Sequence, residues 1–243
     1  MKKAFLSLMA VVAFTALINA QTNDKPYPYK TAYVEYEFTG NTTGTSTLYI
    51  DNWGWNHSET TNTVTKALGQ KTETHERKIT KKLDTWQWVP GEKSGSKVHN
   101  KMLEDMLADP NFDIKKFSEE TMKSLGFEKT GTEVVSGKTC DVYKGMMGAT
   151  SWIWNFIPVK TEVKLLGTKQ VMTATKIEID ASIPGSEFDI PGDVKFTETV
   201  FSPGDMMLQG AEQEDSEGSS EEAAPEIKSF KDLKGLLKKG GNK

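Results

Sequence analysis

Three histidines and a single cysteine are the residues most suited to nucleophilic or metal chemistry in this sequence: His57, His75, His99 and Cys140. No histidine has a histidine partner four residues along, and neither HExxH nor HxH occurs. A metal site would therefore need ligands that converge from separate segments. Cys140 lies in the strand-like stretch GKTCDVYK without an adjacent activating group, which favours a buried core cysteine over a nucleophile.

The common catalytic motifs are also missing from the sequence. It has no G-x-S-x-G, no P-loop and no G-x-G-x-x-G. No acidic residue sits in the apolar context that marks a raised carboxyl pKa. We therefore predict a protein that is not an enzyme, with no catalytic residues, no cofactor and no metal. A hydrolase with a polar cluster near one of the histidines is kept as a third hypothesis.

The tryptophans are the most informative feature of the composition, because all six fall in three W-x-W pairs. Residues i and i+2 of a strand share a face, so each pair would place two indoles on one side of a sheet. Phe156 extends the last pair. The candidate cavity-lining residues are Trp53, Trp55, Trp86, Trp88, Trp152, Trp154 and Phe156.

Three interpretations of these aromatic residues stay open. They could pack a core between sheet and helices, or line an apolar ligand cavity, for which flat indoles with one polar N–H are suited. A carbohydrate platform is the third. Such platforms usually carry clustered Asp, Asn and Arg, whereas Arg77 is the only arginine of the domain.

Strands must position most of these residues. Val34, Tyr36 and Phe38 alternate with polar residues, which predicts a half-buried strand. In residues 170–183, the pattern places Val171, Ile177, Ile179 and Ile183 on one face. Residues 58–82 are threonine-rich, and their alternation is too weak to fix a register. The other predicted strands are residues 45–51, 83–89, 127–135, 138–144, 151–157 and 159–165.

Two helical stretches interrupt the strands in the middle of the chain. The first has an apolar face and Ser96 as its cap, and the second runs from Ile114 to Leu125 and ends at Gly126. The apolar face of the first comprises Val98, Met102, Met106 and Leu107. Successive short strands imply an antiparallel meander. The predicted fold class is therefore α+β, a large antiparallel sheet with helices against one face.

Residues 1–20 have the layout of a secretory signal peptide. Lys2 and Lys3 precede an apolar run over residues 4–17, and Ala20 ends the segment. The alternative is an uncleaved anchor, but the run is shorter than the roughly 20 residues that a spanning helix needs. No cysteine follows the leader directly, so acylation at the mature N-terminus is excluded. We expect a periplasmic or secreted protein.

Charge and cysteine content exclude further classes. The net charge of −4 argues against a nucleic-acid partner, which normally requires a basic excess. A single cysteine excludes an internal disulfide framework.

The C-terminal part of the chain changes composition twice after an ordered domain at residues 21–210. Residues 211–226 carry seven acidic residues and no basic ones, which predicts a disordered acidic linker. Residues 227–243 form a basic amphipathic tail. Its candidate contacts to a membrane or partner are Phe230, Leu233 and Leu237 on one side and Lys231 and Lys234 on the other. The tail could lie on an anionic membrane, dock into its own domain, or simply be solubilising.

In the order of its segments, the domain resembles the LolA-like superfamily of periplasmic lipoprotein carriers and lipid-binding lipoproteins. The likeness covers roughly residues 30–200. It is carried by YVEY at 33–36, LYIDNWG at 48–54, GKTCDVY at 137–143, SWIW at 151–154, IPV at 157–159, IP at 183–184 and FDIP at 188–191.

This resemblance implies an unclosed, curved half-barrel with two or three helices on its concave face. Members of known function bind acyl chains or lipoproteins there without catalysis, and no family motif assigns individual binding residues. The acidic linker and basic tail are not part of the usual pattern.

The leading hypothesis is a non-enzymatic periplasmic protein that binds a lipid, acyl chain or other hydrophobic ligand in a half-barrel cavity. The alternative is a cell-envelope scaffold whose linker and tail recruit an envelope protein or membrane surface.

Overall fold

The computed structural model describes residues 25–67, 70–124, 126–145, 148–165 and 168–201. The predicted leader, acidic linker and basic tail lie outside these residues. The strands are β1 (Ala32–Gly40), β2 (Thr42–Asp51), β3 (Asn56–Ala67), β4 (Gln70–Lys81), β5 (Asp84–Trp88), β6 (Ser94–Asn100), β7 (Glu128–Val135), β8 (Lys138–Lys144), β9 (Thr150–Trp154), β10 (Ile157–Leu165), β11 (Thr168–Ile179) and β12 (Lys195–Phe201). The helices are α1 (Lys101–Leu107) and α2 (Ile114–Ser124), and 3₁₀ turns occupy Asn52–Gly54 and Gly185–Phe188.

All twelve strands belong to one sheet, in the order β12-β6-β5-β4-β3-β2-β1-β11-β10-β9-β8-β7. Strands β1 to β6 form one meander and β7 to β11 form a second, and the pairing of β1 with β11 joins them. Every pair is antiparallel except β12 with β6, which is parallel. Because β12 and β7 are the two ends of this order, the sheet is unclosed, as predicted.

The core lies on the face to which β1 directs Ala32, Val34, Tyr36 and Phe38, all of them buried. We call this the core face and its reverse the outer face. Ile50 of β2 and Met172 of β11 complete the same cluster. The predicted alternation of β1 is confirmed, and it follows from the period-2 geometry of a strand that is covered on one side.

The face predicted for Val171, Ile177, Ile179 and Ile183 is wrong at two residues, because Val171 lies on the opposite face and Ile183 lies beyond the end of β11. Met172 pairs with Phe38 and therefore lies on the core face, which places Val171 on the outer face. A register shift follows, in which Glu35 pairs with Lys176 but Tyr36 pairs with Ala174. This bulge inserts one extra residue, which reverses the alternation and brings Ile177 and Ile179 back to the core face.

The segment before β1 covers the core face at the centre of the sheet. The Tyr27 side chain is 1% exposed, and its ring stacks on Phe156 with centroids 4.9 Å apart. Its backbone N–H donates to the Trp53 carbonyl at 3.0 Å. Trp53 and Phe156 have positive φ angles of 60° and 71°, conformations that are costly for bulky side chains. Two strained turns are thus held in place by the packing around Tyr27.

The predicted helical cover of the concave face is not confirmed. α1 has seven residues and contacts β12 at the edge of the sheet. Met122 of α2 packs with Tyr143 of β8 and Ile153 of β9. The α1 cap is Asn100, whose side chain accepts the Leu103 N–H at 2.9 Å, and not Ser96. Residues 94–100 form a strand instead, because they complete the ladder beside β5.

Residues 180–194 carry the chain from the middle of the sheet to its edge. Thr31 Oγ1 donates to the Ala181 carbonyl at 2.8 Å, near the start of the connection. Arg77 of β4 donates to the carbonyl and the carboxylate of Glu187, at 2.6 and 2.9 Å. By register Arg77 lies on the outer face, so the connection crosses that face before β12 begins.

Replacement of Gly54 by alanine measures how tightly Tyr27 is packed. A Cβ at Gly54 would lie 2.6 Å from Tyr27 ring carbons, and the residue has a φ of +90°. Gly91 has a φ of +92° with no atom within 4 Å, so Gly91→Ala carries the backbone cost alone. We expect Gly91→Ala to lose about 1–2 kcal/mol in urea unfolding and Gly54→Ala about 1–3 kcal/mol more. Equal losses would contradict this packing.

Candidate functional site

The second tryptophan pair lies on the outer face of β5. Trp86 pairs with Ile79 and Trp88 pairs with Arg77. Ile79 and Arg77 flank the core-face residue Lys78 in β4 and therefore lie on the outer face. Lys97 Nζ lies 5.6 Å from the Trp86 ring centroid. The two indoles share a face as predicted, on the side of the sheet away from Tyr36.

The third pair is packed within the sheet at β9. Trp152 belongs to a buried cluster with Cys140, and its Nε1 donates to Glu133 at 2.6 Å. Trp154 packs against this cluster and against the core-face cluster. Lysine ammonium groups cover both rings, Lys160 at 4.6 Å from Trp152 and Lys138 at 3.8 Å from Trp154. These cation–π contacts occupy ring faces on which a ligand would stack.

The first pair does not lie on a strand. Trp53 is inside the Asn52–Gly54 turn and Trp55 follows it directly, so the shared-face argument does not apply to them. Phe156 lies in the β9–β10 turn, where it stacks on Tyr27. The structure thus distributes the seven aromatic residues over several places, and their role as a cavity wall stays a prediction. The five tail residues proposed as membrane contacts lie outside the described residues.

The three histidines are separated. His57 lies on the core face of β3, whereas His75 pairs with Asn62 on the outer face with 2.9 Å between Nδ1 and Oδ1. His99 contacts Asp84 at 3.0 Å. Within the part of the chain that the structure describes, no group of His, Cys, Asp and Glu is arranged to hold a metal ion. Burial raises the pKa of the Cys140 thiol, which is fully buried.

A polar cluster on the core face is the feature that sequence reasoning missed. Lys78 Nζ lies 2.9 Å from Glu59 Oε2, across the β3–β4 ladder. Ser46 Oγ donates to the other oxygen of Glu59 at 3.2 Å, and lies 3.1 Å from Thr61 Oγ1. The Glu59 and Lys78 side chains keep 16% and 21% exposure, so solvent reaches the cluster from this side.

Three polar atoms on the same side of the sheet are buried and have no hydrogen-bond partner among the described residues. They are the hydroxyls of Tyr29 and Tyr36 and the Nε2 atom of His57. The Tyr27 ring contacts two of these three residues, with centroids 5.5 Å from Tyr29 and 5.7 Å from His57. A buried unpaired polar group costs about 1–3 kcal/mol. We call Tyr29, Tyr36, His57, Glu59 and Lys78 the inner polar cluster.

Burial sets the protonation state of the unpaired groups. It raises the pKa of Tyr29 and, with the nearby Glu59 carboxylate, that of Tyr36, so both hydroxyls keep their protons. Burial and the Lys78 charge lower the pKa of His57 to about 4, so its imidazole is neutral at pH 7.

The ion pair keeps its charges despite burial. Burial acts to raise the pKa of Glu59, but Lys78 and the Ser46 hydrogen bond outweigh it and the pKa is lowered. For Lys78, burial acts to lower the pKa, and Glu59 outweighs it so that the pKa is raised. The cluster therefore combines two hydroxyl donors, a neutral imidazole and a paired ammonium.

A groove of about 590 Å³ lies along β1 and β2. The residues that line it from the outer face are polar, among them Glu35, Glu37, Thr43, Thr45 and Thr47. This composition differs from the apolar cavity that the sequence predicts, and none of the tryptophans lines it.

In the described ranges, no helix is both long and apolar enough to cross a membrane.

No protein-family profile matches the chain, and no curated protein matches it. Among solved structures it is similar to an uncharacterized conserved protein from Thermus thermophilus, with a TM-score of 0.47, 6% identity, and coverage of 79% of this chain and 99% of that chain. It is also similar to the MucA/MucB complex structure from Pseudomonas aeruginosa, with a TM-score of 0.40, 12% identity, and coverage of 78% and 62%.

A third similar structure is LprF from Mycobacterium bovis, with a TM-score of 0.32, 11% identity, and coverage of 71% of this chain and 96% of that chain. The chain spans less than two thirds of the MucA/MucB chain that it matches. All three TM-scores lie below 0.5, so these likenesses assign neither a family nor a function to the chain.

The depressed pKa of His57 predicts a loss of stability on acidification. Between the unfolded pKa of 6.5 and the folded pKa of about 4, the unfolded chain binds a proton that the folded protein does not. The free energy of unfolding should therefore fall as the pH drops through this window, by about 1–3 kcal/mol from His57. Urea titrations at several pH values measure it. His57→Gln should flatten this slope, while His75→Gln on the outer face should keep it; a slope unchanged by His57→Gln would refute the assignment.

Proposed function

We propose that this protein is a non-enzymatic binding protein of the cell envelope, which holds an amphipathic ligand with an acyl chain and a polar end against the core face of its sheet. The observation that carries the proposal is the inner polar cluster, in which buried donors without partners in the described part of the chain lie beside a buried aromatic and aliphatic cluster. Such groups cost stability in the free protein and are satisfied when a ligand supplies their partners.

The apolar part of the ligand would pack against the buried cluster that includes Phe38, Phe156 and Met172. Each methylene that is withdrawn from water contributes about 0.8 kcal/mol. A methionine thioether adapts to chains of different shape. The partial exposure of Glu59 and Lys78 marks the side from which the ligand would reach the cluster.

The absence of catalysis is part of the proposal. The buried Cys140 thiol has a raised pKa, which disfavours the reactive thiolate. The His57 imidazole is neutral, but Nε2 has no hydrogen-bond partner among the described residues that would position it as a base for a nucleophile. These features support binding as the role of the cluster.

The Tyr36→Phe variant tests the proposal through two effects of opposite sign. Removal of an unpaired buried hydroxyl should stabilise the free protein by about 1 kcal/mol, and loss of a donor should weaken ligand binding by about fivefold. Binding of a long-chain monoacylglycerol, delivered from cyclodextrin, is followed by native mass spectrometry and tryptophan emission. Urea unfolding gives the stability.

Tyr33→Phe is the matched control, since Tyr33 lies on the outer face and donates to Glu35 at 2.6 Å. This variant should bind the monoacylglycerol as the wild type does. If the wild-type protein binds no monoacylglycerol or other acyl ligand, the proposed function is wrong. If Tyr33→Phe weakens binding as much as Tyr36→Phe, the ligand does not lie on the core face.

A further inference from the structure

We infer that the inner polar cluster accepts an uncharged carbonyl, as in an ester or amide, and discriminates against ligands that end in a carboxylate or phosphate. This inference rests on the proposed function and adds the chemistry of the ligand's polar end. It follows from the donors that the cluster offers and from the charges already present beside them.

The unpaired groups call for a hydrogen-bond acceptor. The hydroxyls of Tyr29 and Tyr36 are protonated and buried, with side chains 4% and 2% exposed. Each can donate one hydrogen bond, and a carbonyl oxygen accepts two. A ligand carbonyl within hydrogen-bond distance of either hydroxyl would satisfy that donor.

The charges of the core face disfavour an anion. Among the described residues of β3 and β4, its one ammonium is Lys78, which is already bound to Glu59 at 2.9 Å. Glu76 lies on the same face of β4, two residues before Lys78, and accepts from Gln87 at 2.7 Å. Register places only uncharged side chains at the other core-face positions of β2 to β5 within the described residues.

An added carboxylate would thus meet two carboxyl groups and one ammonium that is already engaged. Burial raises the pKa of Glu76, so the surroundings already disfavour a negative charge at that position. An ester or amide carbonyl avoids this repulsion and leaves the Glu59–Lys78 pair intact. Arg77 cannot compensate, because it lies on the outer face and binds Glu187.

A competition between two ligands that differ only at the polar end tests the inference. The methyl ester and the free acid of one long-chain fatty acid are offered together to the full chain at pH 7.5, and native mass spectrometry reads the ratio of the two complexes. We expect the ester complex to exceed the acid complex by about tenfold or more. A primary amide of the same chain should behave as the ester does.

The Glu59→Gln variant should abolish the preference, because it removes the carboxylate that binds Lys78 and leaves that ammonium open to an anionic ligand. We expect the ratio of ester to acid to fall by about tenfold or more. Glu178→Gln is the matched control, since Glu178 pairs with Lys176 at 3.0 Å on the outer face. This control should keep the wild-type ratio. Thermal unfolding checks that each variant is folded. If Glu59→Gln does not fold, the wild-type ratios of the ester, amide and acid complexes test the inference.

Each result has a separate meaning. An acid that binds the wild type as tightly as the ester overturns the inference and leaves the proposed function standing. Binding of neither ligand overturns both. A wild-type preference for the ester that Glu59→Gln does not change overturns the assignment of the selectivity to the Glu59–Lys78 pair.

Discussion

The pairing of β1 with β11 is the constraint on which the rest of the structure depends. It joins two meanders whose own pairings are all local, and it determines which faces of the two meanders form one continuous surface. β1 lies between β2 and β11 and directs Tyr36 to the core face. The bulge opposite Glu35 and Tyr36 shifts the alternation of β11 by one residue. Residues before and after the bulge therefore both face the core. A one-residue slip of this ladder would place the apolar side chains of one meander on the opposite face from those of the other.

Cover of the central core face comes from a short segment, and this has an energetic consequence. Tyr27 is held by Phe156 and by the turn at Gly54, and two bulky residues adopt positive φ angles to hold it. The same packing buries Tyr29 and Tyr36 and leaves their hydroxyls without partners among the described residues. Strain and unpaired polar groups thus occur together around Tyr27, and sites where local rules fail in this way are frequently functional.

Alternation in the sequence predicted the parts of the fold that bury one face cleanly. β1 is such a strand, and the unclosed antiparallel sheet follows from the run of short strands. Residues 58–82 gave no register, because threonine serves on either face, although they form the two long strands that carry Glu59 and Lys78. β12 was missed, since a parallel edge strand depends on a distant partner and not on local pattern. The predicted helix begins later than expected, because Val98 belongs to β6 and pairs with Thr85 of β5, a contact that local pattern does not indicate.

The same limit explains why the candidate site differs from the one that the sequence favours. Tryptophan pairs are rare in sequences and therefore suggest a binding site. In the structure, however, lysine ammonium groups lie over the rings of Trp53, Trp86, Trp152 and Trp154. Tyrosine, glutamate and lysine are too common to stand out. Their significance arises from register, which brings Tyr36, Glu59 and Lys78 to one face of three different strands. Burial then makes these side chains available for a ligand, because it removes the water that would otherwise form their hydrogen bonds.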